Sequence, residues 1–181
     1  LYRAGDPDGR WTHSPLYEEV VRTPLLLHVP GMAAGCYAGK TSAVDLMPTV
    51  LELFALPVPD WVEGRSLLAA SRDPAAEGYE CVVTTVPFAN RGDRVRSVDN
   101  TSRPLVSGVV TTLTAGEWSL LYTVEPGMSE LYDLSADPRQ ERNVIHEEKE
   151  TARELHQLLV KFMRDTNVPE RLVEPRLQLR L

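Results

Sequence analysis

Apolar runs and helical stripes alternate along the chain and predict a mixed α/β structure. The run at 25–29 is apolar and lies between Pro24 and Pro30, which predicts a strand buried on both faces of a parallel sheet. Apolar residues then recur every three or four positions from Asp45 to about Ala55 and predict a helix. The stripe predicted to be buried consists of Met47, Val50, Leu51 and Phe54.

A short helix is predicted immediately before the apolar run, over residues 16–21. Ser14 is a favoured N-cap residue, and Pro15 is tolerated at the first helical position because its missing amide has no helical partner there. Glu18 and Glu19 would lie near the positive end of this helix. The pattern therefore predicts one or two helical turns that lead into the apolar strand.

From residue 81 onwards the pattern becomes strand-like. Short β-branched or aromatic runs separated by turn residues predict an antiparallel sheet of about four strands. These runs are 81–86, 105–114, 118–124 and 130–134. A long apolar face then predicts a helix from Ile145 to about Thr166, which would cover one side of the sheet. Its apolar positions are Ala152, Leu155, Leu158, Leu159, Phe162 and Met163.

The connector from Ala69 to Gly78 contains Ala, Ser and Pro and is the favoured boundary between two substructures. We therefore expect one substructure over residues 1–68 and a second over 69–181. The chain begins at Leu1 without Met or a leader sequence, so we expect it to be a fragment of a longer protein.

Composition excludes several classes of function. Hydrophobic residues make up 43% of the 181 positions and charged residues 25%, as in an ordinary globular protein. The formal net charge of −7 argues against a nucleic-acid partner, since no basic surface would replace phosphate counterions. No apolar run approaches the roughly 20 residues of a membrane-spanning helix. Any anion site would need a local cluster of cationic groups or a metal.

Considered without any family knowledge, the candidate chemical residues favour structural roles. His146 and His156 lie ten positions apart on the last predicted helix and would point about 80° apart, so we interpret both as solvated surface histidines. His28 is interpreted as a buried, hydrogen-bonded histidine, although a site at a strand end stays open. Asp45 is interpreted as a helix cap rather than a metal ligand.

Three separated segments carry a family resemblance. They are residues 13–31, residues 42–53 together with 63–68, and residues 130–143. In this order they resemble the C-terminal third of a sulfatase of the alkaline-phosphatase superfamily. The resemblance implies an α/β fold in which residues 1–68 supply the closing strand and helices of the alkaline-phosphatase-like core. Residues 69–181 would then form the C-terminal subdomain, an antiparallel sheet packed on the terminal helix.

The resemblance also implies one catalytic residue, His13. Sulfatases place a Lys or His just before the helix that here contains Tyr17, and this group reaches the sulfate ester or its leaving oxygen. Counting back from Tyr17, His13 occupies that place. A His can donate a proton to the leaving oxygen, whereas a Lys acts chiefly as a fixed charge. Arg22 and Arg65 match family positions that we interpret as structural.

The remaining machinery that the resemblance implies lies upstream of this chain. Sulfatases convert a Cys or Ser in a Cys/Ser-x-Pro/Ala-x-Arg motif to formylglycine, and neither Cys36 nor Cys81 lies in such a motif. Two cysteines do not suggest a disulfide scaffold, so we expect two thiols. The Ca²⁺ or Mg²⁺ ion expected for the intact enzyme has no ligand cluster here, and Asp6 and Asp8 are interpreted as turn residues. The chain alone is therefore expected to be inactive.

Two alternatives remain open at this stage. The first is a phosphonate monoester or phosphodiester hydrolase of the same superfamily, whose C-terminal region looks alike. The second is a non-catalytic binding or oligomerisation module from a truncated sulfatase, which would self-associate through the unpaired edge of residues 25–29. For the intact enzyme we expect a small-molecule or carbohydrate sulfate ester as substrate, without a nucleic-acid partner.

Overall fold

The computed structural model describes residues 16–73, 76–85 and 110–181, and these form two compact units. The first unit contains residues 16–23 and the described chain from Val83 onwards, and the second contains Pro24–Val82. The assignment of residues 1–68 to a core and 69–181 to a subdomain stays a prediction.

The predicted small antiparallel sheet is confirmed. Its four strands, in spatial as well as sequence order, are β1 (Cys81–Thr85), β2 (Thr111–Ala115), β3 (Trp118–Tyr122) and β4 (Glu130–Asp133). Ala115 pairs with Trp118, which leaves a two-residue hairpin loop. Gly116 begins that loop at φ +52°, a left-handed conformation that glycine adopts without a steric penalty.

One long helix packs against this sheet, as the sequence predicts. Helix α4 spans Lys149–Asp165, so it begins four residues later than expected. The delay has a local cause, because the side-chain oxygen of Asn143 accepts hydrogen bonds from the amides of Leu131 and Ile145, both at 3.0 Å. These bonds hold the preceding chain as a turn. The buried face of α4 consists of Ala152, Leu155, His156, Leu159 and Met163.

The interpretation of His156 as a solvated histidine is wrong, whereas His146 is exposed as expected. His156 Nε2 donates to the carbonyl of Arg176 at 2.8 Å, and its ring lies 5.0 Å from the ring of Tyr122. The terminal elements α5 (Glu170–Val173) and the 3₁₀ turn Glu174–Arg176 supply this cover. Burial lowers the pKa of His156, since the charged imidazolium loses hydration.

The second unit contains the 3₁₀ turn Ala43–Asp45, helix α2 (Leu46–Leu53) and helix α3 (Leu68–Arg72). The strand predicted at 25–29 is not formed, and Leu26 is 90% exposed. His28 is exposed too, so its interpretation as a buried histidine is wrong. A strand needs a hydrogen-bonding neighbour, and no described residue provides one for this segment.

Helix α2 forms where predicted, but the prediction for its buried face is wrong. Met47, Val50 and Phe54 are exposed, and Leu51 is half-buried. Pro48 and Thr49 are the buried residues of the helix, because this side lies against the loop before α3. The Thr49 hydroxyl donates to the carbonyl of Asp45 at 2.6 Å and accepts from the amide of Leu67 at 2.9 Å.

The Asp45 carboxylate holds the second unit together. It is fully buried and accepts from the amide of Ser42 at 2.8 Å, the amide of Arg65 at 3.0 Å and the hydroxyl of Tyr79 at 2.5 Å. Asp45 occupies the N-cap position of α2, but its side chain does not cap the amides of that helix. Burial and the bond to Asp45 raise the pKa of Tyr79 to about 12, and the Arg65 guanidinium lies 3.7 Å above the Tyr79 ring.

Replacing this carboxylate by an amide should open the second unit. Asp45→Asn turns one accepting oxygen into an NH₂ group that faces a donor, so we expect about 2 kcal/mol less free energy of unfolding for this unit. Urea-dependent hydrogen exchange at the Arg65 and Leu67 amides measures the loss. Asp60→Asn makes the same charge change at an exposed position and is the control. Equal stability of the two variants would contradict the role of Asp45.

The buried His156 should make the first unit sensitive to acid. The unfolded chain binds a proton on this imidazole near its ordinary pKa of about 6.5, whereas the folded chain binds it only at lower pH. The stabilisation is therefore complete well above pH 6.5 and is lost as the pH falls through 6.5 towards the lower pKa of the folded chain. Thermal unfolding should show this slope, and His156→Gln should flatten it. His146→Gln, at an exposed position, should leave the slope unchanged; a flattened slope there would contradict this assignment.

Candidate functional site

The one predicted catalytic residue, His13, lies outside the described residues. The described chain begins three positions later, and the short helix predicted there is present as α1 (Glu18–Val21). We call residues 16–21 the anchor segment, because they lie in the same unit as the antiparallel sheet and are hydrogen-bonded to it.

Consecutive residues of the anchor segment bond to the sheet unit. The carbonyl of Leu16 accepts from the hydroxyl of Thr112 on β2 at 2.7 Å, and the Leu16 side chain is buried. The amide of Glu18 donates to the side-chain oxygen of Gln140 at 2.6 Å. Amides in the first turn of a helix have no intrahelical acceptor, so Gln140 satisfies a donor that would otherwise lack a partner.

Gln140 is held in place by its own surroundings. Its residue is 1% exposed, and its Nε2 donates to the hydroxyl oxygen of Ser119 on β3 at 3.3 Å. Its backbone has φ +53°, an uncommon conformation for a residue other than glycine. Such conformations persist only where the surroundings enforce them. The Gln140 side chain thus joins the anchor segment to the middle of the sheet.

Tyr17 makes the third connection. The hydroxyls of Tyr17 and Tyr132 both donate to the same oxygen of Glu130, at 2.9 and 2.8 Å. The two rings meet edge to face with centroids 6.0 Å apart. Burial, followed by the hydrogen bond to the Glu130 carboxylate, raises the pKa of Tyr132. Tyr132 therefore stays a neutral donor at physiological pH.

These three contacts can position the chain but do not themselves form a reaction centre. They fix residues 16, 17 and 18, which immediately follow the segment that carries His13. Sequence reasoning missed Gln140, Thr112 and Glu130 as parts of this arrangement. A signal existed for two of them, because Gln140 and Glu130 lie in the 130–143 segment that carries the family resemblance.

The other candidate residues are dispersed. Arg22 and Cys36 are exposed, and Cys81 is half-buried in β1. Asp6 and Asp8 lie outside the described residues. Within the described ranges, no three His, Cys, Asp or Glu side chains are placed to hold a metal ion, so these ranges do not fit the Ca²⁺ or Mg²⁺ site expected for the intact enzyme. The helices of the same ranges are all too short or too polar to cross a membrane.

The curated proteins that are similar to this chain carry the name sulfatase. No family model matches the chain. Over 140 residues it is 28% identical to a choline-sulfatase of Rhizobium meliloti, covering 75% of this chain and 24% of that protein. Over 149 residues it is 31% identical to arylsulfatase K of Gallus gallus, covering 80% of this chain and 26% of that protein. The chain thus spans about a quarter of the length of these curated relatives.

Solved structures show a similar fold. One is a protein in complex with its substrate D-glucosamine-2-N,6-O-disulfate, with TM-score 0.53, 20% identity and coverage of 75% of this chain and 25% of that one. A second is a 2-O glycosaminoglycan sulfatase, with TM-score 0.54, 18% identity and coverage of 75% and 28%. A third is a phosphonate monoester hydrolase of Silicibacter pomeroyi, with TM-score 0.50, 22% identity and coverage of 70% and 25%.

At these identities the structural matches establish the fold, and the sequence matches all carry the name sulfatase. The resemblance noted in the three sequence segments is thereby confirmed. In sequence and in fold, the chain is sulfatase-like and resembles a C-terminal fragment of such a protein.

Proposed function

We propose that this chain is the C-terminal part of a sulfuric ester hydrolase that cleaves sulfate monoesters. The observation that carries the proposal is the similarity of three quarters or more of the chain to proteins named sulfatases. When present, formylglycine would supply the nucleophile and Ca²⁺ or Mg²⁺ would stabilise negative charge. The described residues do not fit such a centre, so the chain's own contribution is limited to other groups.

The chain's direct contribution to the reaction is His13. Sulfate ester cleavage leaves negative charge on the departing oxygen, and a positioned imidazolium lowers the barrier by donating a proton to it. The family resemblance supports this role, since His13 occupies the place of the sulfatase Lys or His that reaches the leaving oxygen. The remaining chemistry of the site belongs to chain that this sequence does not include.

The anchor segment connects the antiparallel sheet to the chain that follows His13. General acid catalysis requires the acid to stay within hydrogen-bonding distance of the leaving oxygen, so the supporting chain has to be fixed. The contacts at residues 16, 17 and 18 fix the chain that begins three residues after His13. The antiparallel sheet and Gln140 would therefore act on the reaction through the placement of His13.

The names of the relatives support a proposal for the substrate class. Their names point to choline sulfate, aryl sulfates and, for one solved neighbour, a sulfated glucosamine. We assign a small-molecule or carbohydrate sulfate ester. The phosphonate monoester hydrolase among the structural neighbours favours a second candidate, hydrolysis of phosphonate monoesters, because the C-terminal fold is common to both.

Replacing His13 should affect poor leaving groups most. In an active enzyme that contains this chain, His13→Ala should lower kcat for an alkyl sulfate by about 100-fold or more, because an alkoxide needs protonation to depart. The loss should be much smaller for 4-nitrophenyl sulfate, whose phenoxide leaves unprotonated. Steady-state kinetics across a series of leaving groups measures this dependence. His146→Ala is the control at an exposed histidine, and an equal loss for every leaving group would contradict the acid role.

Removing the Gln140 side chain should loosen the anchor segment. Gln140→Gly suits the observed φ and deletes only the side chain, so the Glu18 amide loses its acceptor. We expect its hydrogen exchange to accelerate about tenfold, equivalent to about 1.4 kcal/mol. Ser119→Ala removes only the inner partner of Gln140 and should have a smaller effect at Glu18. Unchanged exchange in Gln140→Gly would contradict the role of Gln140 as an anchor.

A further inference from the structure

A cavity of about 350 Å³ lies between the C-terminal half of α4 and the terminal segment at Leu177. This volume falls within the range of about 300–1,000 Å³ that is typical of sites for small molecules. The lining residues all belong to the first unit. They are different residues from Thr112, Glu130 and Gln140, which hold the anchor segment, so the cavity is a separate feature of this unit.

The polar part of the cavity lining is a row of hydrogen-bond donors on α4. Gln157, Lys161 and Arg164 line the cavity, and their side chains are exposed. Spacings of four and three residues place them on one face of the helix. The Arg164 side chain is bonded to none of the described residues. A guanidinium offers five N–H donors and no acceptor, so this group suits an anion.

Lys161 already has an anionic partner inside the same cavity. Its Nζ donates to the carboxylate of Asp165 at 2.7 Å, and Asp165 also lines the cavity. The two side chains are 66% and 59% exposed. Such a pair adds little stability, because water screens it and two long side chains have to be ordered. A second anion can therefore compete for the ammonium group.

The remaining lining residues supply carbon surface. Val160 is half-buried and Leu177 is 40% exposed. The buried ring of His156 is fixed beside them by its hydrogen bond to the Arg176 carbonyl. Small-molecule sites typically combine such apolar lining with a few polar groups that orient the ligand.

The local charge balance favours an anion as the ligand. Residues 156–181 contain five Lys or Arg and three Asp or Glu, whereas the whole chain has a formal net charge of −7. This segment is therefore locally cationic in an acidic protein. A local cluster of cationic groups is the feature that an anion site in such a protein requires.

We propose that this cavity binds a small organic anion, a molecule of about hexose size that carries a sulfate, phosphate or carboxylate group. The Arg164 guanidinium, the Lys161 ammonium and the Gln157 amide would donate hydrogen bonds to the oxyanion. The carbon skeleton would pack on Val160 and Leu177. The site is additional to the proposed reaction centre, and its test does not depend on turnover.

Nuclear magnetic resonance titration of the full chain tests the proposal. The ring resonances of His156 and the amide resonances of Gln157 and Arg164 are followed at about 0.15 M salt. The probes are glucose 6-sulfate, glucose 6-phosphate, glucuronate, glucose and inorganic sulfate. We expect saturable shifts with at least one of the three anionic sugars and much weaker binding of glucose, which lacks the oxyanion. No saturable shift with any anionic sugar would overturn the proposal, as would an equal affinity for glucose or for inorganic sulfate.

Two variants with opposite expected effects separate binding from damage to the fold. Arg164 lies in the last turn of α4, where a cation also stabilises the helix. Arg164→Gln should weaken the affinity about tenfold or more, because it loses charged hydrogen bonds. Asp165→Asn should strengthen it severalfold, because it releases Lys161 and removes a repelling charge. A gain of this kind does not arise from loss of structure.

Arg153→Gln is the matched control, because Arg153 is an exposed cation of the same helix that does not line the cavity. We expect its affinity for the anionic sugar to equal that of the unaltered chain. The same loss in Arg153→Gln as in Arg164→Gln would overturn the site in favour of general charge attraction. An unchanged affinity in Arg164→Gln, or no gain in Asp165→Asn, would overturn it as well.

Discussion

The hydrogen bond between the Glu18 amide and the Gln140 side chain is the interaction on which the functional account of the first unit depends. It joins residues 122 positions apart and connects the only described chain near His13 to the interior of the sheet. Its geometry is enforced, since Gln140 is buried and adopts a left-handed backbone conformation. A half-buried amide without an acceptor costs free energy, so this contact favours one position of the anchor segment.

The second unit depends on a different constraint, the burial of a carboxylate. Asp45 accepts three hydrogen bonds and so fixes α2 and the loop at Arg65 with their polar groups inside. That arrangement leaves the apolar stripe of α2 on the outside.

The sequence correctly predicts elements whose contacts lie close together in the chain. It wrongly predicts the burial of residues whose burial depends on a partner far away in the chain. The antiparallel sheet and helix α4 are correct because strand runs, the turn at Gly116 and the apolar face of 149–165 lie close together in the chain. The burial of residues 25–29 and of the α2 stripe is predicted wrongly, since the described residues include no layer that covers them. Gln140 could not be found as an anchor, because nothing around residue 140 indicates that its partner is Glu18. The burial of His156 is not predicted for the same reason, because Arg176, whose carbonyl accepts its hydrogen bond, lies 20 positions further along the chain.

The family resemblance predicts more of the site than residue patterns do, and it does so through short segments in a fixed order. The most direct test of the account is the rate at which this chain hydrolyses an aryl sulfate and an aryl phosphonate, in the presence of Ca²⁺ or Mg²⁺, with and without a sulfatase catalytic core. We expect no turnover by the chain alone and turnover of the sulfate in preference to the phosphonate when the core is bound. Turnover by the chain alone, or preference for the phosphonate, would contradict it.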